Sequence, residues 1–360
     1  MSPTTQIIRN QWYVAAYGHE VGRELLARTI CNEPLVFYRA EDGSAVALAD
    51  RCIHRRYPLS KSQLVDGDRI VCGYHGFTYD RTGTCVAVPA QQRIPRSARV
   101  ASYPVVEQDS FIWVWIGDRE YADPATIPRA PWLTRDGWTT IRGLETIQGR
   151  HALLMDNLMD LSHETYLHGG YIGTPEVADT PITTEVDETA GVVRVSRHID
   201  DAESPPFYAS STGVHGRITR WQDIEFSPPC LYRLHSRVAR QGHYPPDGYI
   251  PGYDAAADPG AFHVEIVYAL TPETAHSVHD FWAVARDFAT DDQWVTDYLY
   301  ANNHIVVMQD VVALNLVEEV LAEEERNGGA YQELSINIDT GALAARRLIA
   351  KLAQAEESRT

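Results

Sequence analysis

The sequence predicts an α+β chain, with an antiparallel β module in front and a larger mixed unit behind it. The second unit should have its own antiparallel sheet and end in helices. Three observations carry this. From Glu33 to Trp115 the chain consists of short runs of branched and aromatic residues, separated by the hairpin chemistry of EDGS, VDGD and RTGT. The stretch GDREYADPATIPRAPWL then interrupts the pattern with three prolines and no periodicity, as a linker does. Beyond it, strand-like runs mix with helical spacing, and long helical segments come last. The expected domain limits are 1–120 and 121–360. With 360 residues, each unit can bury a core of its own.

The front strands are read from EPLVFYRA, AVALAD, DRIVCGYHGFTYD, CVAVPA and FIWVWIGD. HALLMDNLMDLSHETYLH places its apolar residues at helical spacing and reads as one helix. VVRVSRHI, ITRWQDIEF, CLYRLHSRVA, FHVEIVYAL and SVHDFWAVARDF supply the second sheet. A long helix is expected from Asp292 to the acidic run near residue 325. The last helix, DTGALAARRLIAKLAQAEE, starts at an Asp/Thr cap.

Composition narrows the function classes. The formal charge of −18 comes from 31 basic and 49 acidic residues, which argues against a nucleic-acid partner. It suits solubility, or an acidic face for a basic protein partner. No apolar run approaches the ~18 residues of a membrane-spanning helix. The N-terminus lacks the basic start and apolar run of a secretory signal, so cytoplasmic residence is expected. Five cysteines make an odd, sparse set, unsuited to a disulfide framework and compatible with thiolate metal ligands.

Two loops concentrate such ligands. Cys52-x-His54 and Cys72-x-x-His75 stand with seventeen residues between them. A structural zinc site could use two Cys and two His, but those usually come as a Cys pair followed by a His pair. One Cys and one His per loop suits a two-iron cluster, with one iron taking both thiolates and the other both imidazoles. Gly73 and Gly76 would let backbone amides approach the sulfurs. Cys31, Cys85 and Cys230 read as buried small hydrophobes.

An electron carrier needs little more than about 110 residues, so the second half should hold a consumer of electrons. NLMDLSHETYLHGG offers His163 and His168, with Asp160 just before the first. Positions five apart on an ideal helix differ by about 140° and cannot share an ion. The Gly169–Gly170 stop would free His168, at a frayed or π-bulged end, to swing toward His163. The competing reading is a surface helix with two exposed histidines. Two His and one carboxylate make the facial triad of non-haem Fe(II) oxygenases. Asp310, a charge inside the apolar helical run VVMQDVVALN, is the candidate third ligand.

CIHRRYPLS followed by VCGYHGFTYD resembles the Rieske [2Fe–2S] signature, with Phe77 where many members carry Trp. A glycine often stands near Lys61 and Ser62 in that family. The Asn157–Asp160–His163–His168 run and the later Asp310 resemble the catalytic half of Rieske non-haem iron oxygenases, over nearly the whole chain. NQWYVAAY, LMDLSHETYLH, LTPET and HDFW resemble the vanillate O-demethylase oxygenases most, with dicamba-type demethylases near. The resemblance implies a Rieske domain followed by a helix-grip-like catalytic domain. It implies a [2Fe–2S] cluster on Cys52, His54, Cys72 and His75, and a mononuclear Fe(II) on His163, His168 and Asp310. Asp160 would link a cluster histidine of one subunit to an iron-ligand histidine of the next in a homotrimer, and Asn157 would stand near the site. Gln309 replaces a second acid common in relatives. Tyr268 replaces a His that some demethylases place in the substrate pocket.

The implied reaction is O-demethylation of a methoxylated aromatic acid such as vanillate. O2 would be co-substrate, and formaldehyde would leave as the hemiacetal collapses. Ring hydroxylation or N-demethylation by the same centres, and a plain electron-transfer protein, are the alternatives. No strand–GxGxxG–helix segment is present, so NAD(P)H electrons should arrive through a separate flavin/iron–sulfur reductase. Tyr268 and Trp282 are the pocket candidates, with packing the competing role for Trp282 and His279. His304 reads as structural. The aromatic residues at 207–208, 232 and 298–300 are further candidates for the pocket lining.

Overall fold

The structure is a computed structural model describing residues 6–89, 91–243, 260–329 and 333–357. It divides into two compact units: Ile7–Arg129 with Thr271–Ala275, and the rest, chiefly from Ala130 onward.

The first unit carries β1 (Gln11–Tyr17), β2 (Leu26–Ile30), β3 (Glu33–Arg39), β4 (Ala45–Ala49), β5 (Gln63–Val65) and β6 (Arg69–Val71). β7 (Thr78–Tyr79), β8 (Cys85–Ala87), β9 (Ser102–Tyr103), β10 (Val105–Gln108) and β11 (Phe111–Ile116) complete it. They form three antiparallel sheets, ordered β1-β11-β10, β2-β3-β4-β9 and β5-β6-β7-β8. FIWVWI is apolar without alternation because β11 is the central strand of its sheet and is buried along its whole length. The proline-rich stretch forms short 3-10 turns. Asp118 and Asp123 cap two of them by accepting from the amides of Glu120 and Ala125. Trp12 Nε1 donates to the Asp123 carbonyl at 2.9 Å, and Gln108 Nε2 to that of Pro128 at 3.1 Å. These bonds hold the stretch in the first unit, so the boundary falls at Arg129/Ala130 rather than at 120/121.

The second unit is built on one seven-stranded antiparallel sheet. Its strands are β12 (Thr139–Ile147), β13 (Thr183–Asp187), β14 (Val192–Glu203), β15 (Arg217–Ser227), β16 (Leu231–Arg240), β17 (Ala261–Thr274) and β18 (Ser277–Arg286), in spatial order 12-18-17-16-15-14-13. Its helices are α1 (His151–Met159), α2 (Glu164–Leu167), α3 (Pro175–Asp179), α4 (Pro206–Thr212), α5 (Gln293–Arg326) and α6 (Thr340–Glu357). Asp292 caps α5 by accepting from Val295 N. The buried stripe of α5 recurs every three to four residues, from Val295 through Leu299, Val306 and Leu314 to Leu321, and the helix packs along β12. Asn303, Asp310 and Glu318 interrupt that apolar stripe. Glu318 is accounted for by the buried Arg150, whose Nε donates to it at 2.8 Å just ahead of α1.

Two sequence expectations need correction here. HALLMDNLMDLSHETYLH is not one helix. The chain leaves α1 at Asp160, which is extended (φ −127°, ψ 100°), takes a 3-10 turn at Leu161–His163 and resumes as α2. The Asp160 carboxylate satisfies the amide and hydroxyl of Ser162, which makes the break a capped one. Trp282 faces the packing between sheet and α5, not a substrate pocket. It pairs across strands with Gly143, where a Cβ would lie 2.2 Å from the indole, and its ring meets Tyr300.

Candidate metal centres

The two Cys/His loops are twins. In the first, Cys52 N donates to the Tyr57 carbonyl and Arg56 N to that of Cys52; in the second, Cys72 N donates to the Phe77 carbonyl and Gly76 N to that of Cys72. Each fold-back needs a left-handed residue four positions after its cysteine, met by Arg56 (φ 59°) and Gly76 (φ 69°). At Gly76 a Cβ would also lie 2.8 Å from Pro89. The turns bury both sulfurs in a core with Leu59, Ile70 and Tyr79 and leave both imidazoles exposed. Sulfur stands beside sulfur, with the Cys52 thiol against that of Cys72. Imidazole stands beside imidazole, with the rings of His54 and His75 4.6 Å apart.

That sorting decides between the readings of the motif. A zinc ion needs all four donors within one tetrahedral shell. Among the described residues, the three-membered groups with every donor within 4.8 Å do not include these four. Donors paired by type and spread wider than one ion's shell fit two metals, with thiolates on one and imidazoles on the other. Burial raises the Cys72 thiol above its ordinary value, while the amides of Tyr74 and His75 pull it down. Desolvation, then His75 and Arg55, hold His54 below its ordinary value, in the neutral form that ligates. Tyr79 Oη lies 3.0 Å from Cys52 Sγ, a contact that no motif signals.

The second centre follows from the break at Asp160. On a continuous helix His163 and His168 would diverge. Here His163 ends the 3-10 turn and His168 caps the C-terminus of α2, and their rings stand 5.1 Å apart at 78°. There is no π-bulge. Asp310 meets them from the buried stripe of α5, its Oδ1 3.2 Å from His168 Nε2 and 3.7 Å from His163 Nε2. Metal bonds of about 2.0–2.2 Å place neighbouring ligands of one ion roughly 3 Å apart. His163, His168 and Asp310 form a group with every donor within 4.8 Å. His168 Nε2 is buried and makes no hydrogen bond, although a carboxylate oxygen lies 3.2 Å away. Two atoms aimed at a common third point have that geometry. The residues therefore fit a single ion with two imidazoles and one carboxylate.

Each ligand is held from behind. The other ring nitrogen of His163 meets the Asp160 carbonyl at 2.6 Å, so the backbone of Asp160 rather than its carboxylate orients this ring. His168 Nδ1 donates to Gln309 Oε1 at 2.8 Å, so the amide fills the accepting role that an acid also could. Asn157 Nδ2 donates to Asp310 Oδ1 at 3.1 Å. Burial works against protonation of His168, but Asp310 and Gln309 outweigh it and hold the ring above its ordinary value.

A buried cavity adjoins the three residues. Tyr268 lines it, as do Phe207, Tyr208 and Tyr232, whereas Trp282 does not. Below the cavity, Glu164 accepts from Arg220 Nη2 at 3.0 Å and from Gln222 Nε2 at 3.0 Å, all three side chains being buried. Asn303 completes the polar lining from α5. His304 pairs with Glu145 at 3.2 Å. On the opposite flank a surface crevice exposes Asp160 and His163, with Leu334 and Val317 at its edge.

Comparison with known proteins agrees with both centres. The model of the Rieske [2Fe–2S] domain matches residues 11–104, and that of the vanillate O-demethylase oxygenase C-terminal domain matches residues 147–355. The chain is 36% identical over 357 residues to a vanillate O-demethylase oxygenase subunit of Pseudomonas sp. (strain HR199 / DSM 7063), covering 97% of this chain and 96% of the relative. It is 33% identical over 352 residues to the oxygenase component of dicamba O-demethylase from Stenotrophomonas maltophilia, covering 97% and 98%. Dicamba monooxygenase bound to 3,6-dichlorosalicylic acid superposes with a TM-score of 0.87 at 33% identity, covering 98% and 99%. The same enzyme with non-haem iron and dicamba gives 0.82 at 31%, with the same coverage. The chain belongs to the vanillate O-demethylase oxygenase family, the Rieske-type oxygenases that pair a [2Fe–2S] cluster with a non-haem iron.

Proposed function

We propose that this protein is the oxygenase component that O-demethylates a methoxylated aromatic acid of the vanillate type. The balanced reaction is ArOCH3 + O2 + NAD(P)H + H+ → ArOH + HCHO + H2O + NAD(P)+. The observation that carries the reading is the convergence of His163, His168 and Asp310 beside an aromatic-lined cavity, in a chain that also bears a Rieske domain. The names of the vanillate and dicamba demethylase relatives support the substrate class. Iron held there supplies the reductive activation of O2 toward a methyl C–H bond. The chain's own part is to orient the ligands through Asp160, Gln309 and Asn157, and to border the metal site with the aromatic side chains of Phe207, Tyr208, Tyr232 and Tyr268.

Electrons come from a separate NAD(P)H reductase, and the protein works in the cytoplasm as a homotrimer. His54 and His75 are exposed beside Ile53 and Tyr74, an apolar tip with Arg55 and Arg56 next to it. The crevice at Asp160 combines apolar Val317 and Leu334 with Asp156, Glu333 and Asp339, of which Asp156 and Glu333 are paired with Arg346 in the same crevice, so the acids still outnumber the base. A tip of one copy set into the crevice of the next joins opposite charges and puts Asp160 between a cluster histidine and His163.

Reconstituted oxygenase with a Rieske-system reductase, NADH, O2 and vanillate should release one formaldehyde per phenol formed. Fully loaded protein should hold three irons per chain, and His163→Ala should drop this to two with the cluster's visible absorption intact. Iron staying at three in that variant defeats the ligand assignment. No formaldehyde from any methoxybenzoate by the fully loaded enzyme defeats the demethylase reading.

A further inference from the structure

We infer that Arg220 is a positioning residue of the mononuclear site: through Glu164 and the Ile172 carbonyl it clamps both limbs of the turn that carries His163 and His168. The inference deepens the ligand assignment made above and rests on it.

The turn has little stiffness of its own. His168 ends α2, a helix of four residues, with its backbone outside the helical range (φ −109°, ψ 20°). Gly169 and Gly170 follow, the second in the left-handed region (φ 89°). A single helical turn running into two glycines resists bending weakly. The chain then doubles back over α2. Ile172 N and Gly173 N donate to the His168 carbonyl at 3.3 and 3.2 Å, and a Cβ on Gly173 would lie 1.7 Å from the Glu164 carbonyl oxygen.

Arg220, on β15, reaches both limbs. Its Nη2 donates to Glu164 Oε2 at 3.0 Å, one residue after His163. Its Nη1 donates to the Ile172 carbonyl at 3.0 Å, four residues after His168. One planar guanidinium therefore sets the separation between the start of the turn and its return, which a point charge cannot do. The clamp is itself held. The Tyr208 ring centre lies 5.1 Å from the guanidinium carbon. Gln222, two residues along β15, donates its Nε2 to Glu164 at 3.0 Å. Arg197, its cross-strand neighbour on β14, donates Nη1 to Gln222 Oε1 at 3.2 Å and so settles which way that amide points. Burial works against the charge of Arg220, but Glu164 outweighs it and keeps the guanidinium a cation. Glu164 and Arg220 are each only 2% exposed. A pair so deeply buried adds little stability over apolar residues of the same volume, so direction is what it supplies.

The test separates ligand geometry from stability. Ferrous affinity of the mononuclear site is read by chelator competition. Its geometry is read by electron paramagnetic resonance of the nitric oxide adduct, with the cluster oxidised. Arg220→Lys keeps the charge but cannot serve Glu164 and the Ile172 carbonyl together. It should lower ferrous affinity about 10-fold, the lower end of the range for groups that orient ligands, and broaden the adduct signal. Glu164→Leu/Arg220→Met, with no stranded charge, should melt higher than Glu164→Gln yet bind iron as weakly as Arg220→Lys. Arg150→Met opens a second buried Arg–Glu pair of the same unit, 2.8 Å from Glu318. It should lower the melting temperature while leaving ferrous affinity and the adduct signal as in wild type. Wild-type affinity in Arg220→Lys, or in a stable double variant, overturns the clamp. Equal iron loss in Arg150→Met also overturns it, because affinity would then follow stability alone. A double variant that fails to fold leaves the decision to Arg220→Lys. A third iron that survives His163→Ala refutes the ligand assignment, and the clamp with it. Loss of that iron in His163→Ala beside unaffected clamp variants refutes the clamp alone.

Discussion

Glu164→Gln removes the carboxylate that balances Arg220 under the cavity. The two charged groups lie 3.0 Å apart, each with about 2–3% of its side chain exposed. At an effective dielectric near 20 their attraction is about 5 kcal/mol. Breaking a buried pair from one side costs about 3–5 kcal/mol, since it strands the other charge. The Gln carbonyl still accepts one bond, so the lower end, about 3 kcal/mol, is the expected loss. In a unit of this size about 2–4 °C accompany each kcal/mol, which puts the drop in melting temperature at roughly 6–12 °C. Scanning calorimetry should place the loss in the transition of the sheet-bearing unit and leave the Rieske transition in place. The double variant Glu164→Leu/Arg220→Met, which carries no stranded charge, should recover much of the loss. A shift under about 2 °C for Glu164→Gln would refute the argument, because it would mean that water reaches Arg220.

Two further outcomes concern the metals. Gln309→Leu strips the acceptor from His168 Nδ1 and should lower iron affinity by about 10- to 100-fold, read by chelator competition, while Gln309→Glu should retain iron. Unaltered affinity in the Leu variant would remove Gln309 from the site's support. Asp160→Asn should keep three irons per chain yet slow reoxidation of the pre-reduced cluster in single-turnover stopped flow. Wild-type rates there would sink the intersubunit link.

What the sequence made legible depended on range. The cluster loops were readable because each holds its Cys and His within four residues, bounded by turn residues, so no distant partner had to be known. Asp310 was readable as a charge on an apolar helical stripe. The same signal marks Asn303 and Glu318, seven residues before it and eight after, which a reading for metal ligands alone passes over. His163 and His168 posed the right conflict, five positions apart, but its resolution was at Asp160, where a side-chain cap outweighs helical period. Arg220 and Gln222 were beyond reach as a set. A polar residue in a strand shows its role only when register and the crossing helix are known, and Glu164 meets them across more than fifty residues. Trp282 misled for the same reason, because its partner is a glycine on a strand far away in sequence.

Asp160 supports the His163 side of the mononuclear site through the main chain as much as through its carboxylate. Its extended backbone ends α1, and its carbonyl then lies where His163 can meet it at 2.6 Å. Its carboxylate caps Ser162 and so stabilises the break that made the carbonyl available. The residue also lines a surface crevice. Bending the helix therefore achieves three things: it brings the histidines together, fixes one ring and presents an acid outward. A substitution that loses the cap, such as Asp160→Ala, disturbs all three and cannot separate iron binding from electron entry. Asn keeps a side-chain oxygen for the Ser162 amide and the same backbone carbonyl, changing mainly the outward charge. An iron-replete but slow Asp160→Asn protein, beside an iron-poor Asp160→Ala, would assign orientation to the backbone and electron transfer to the carboxylate.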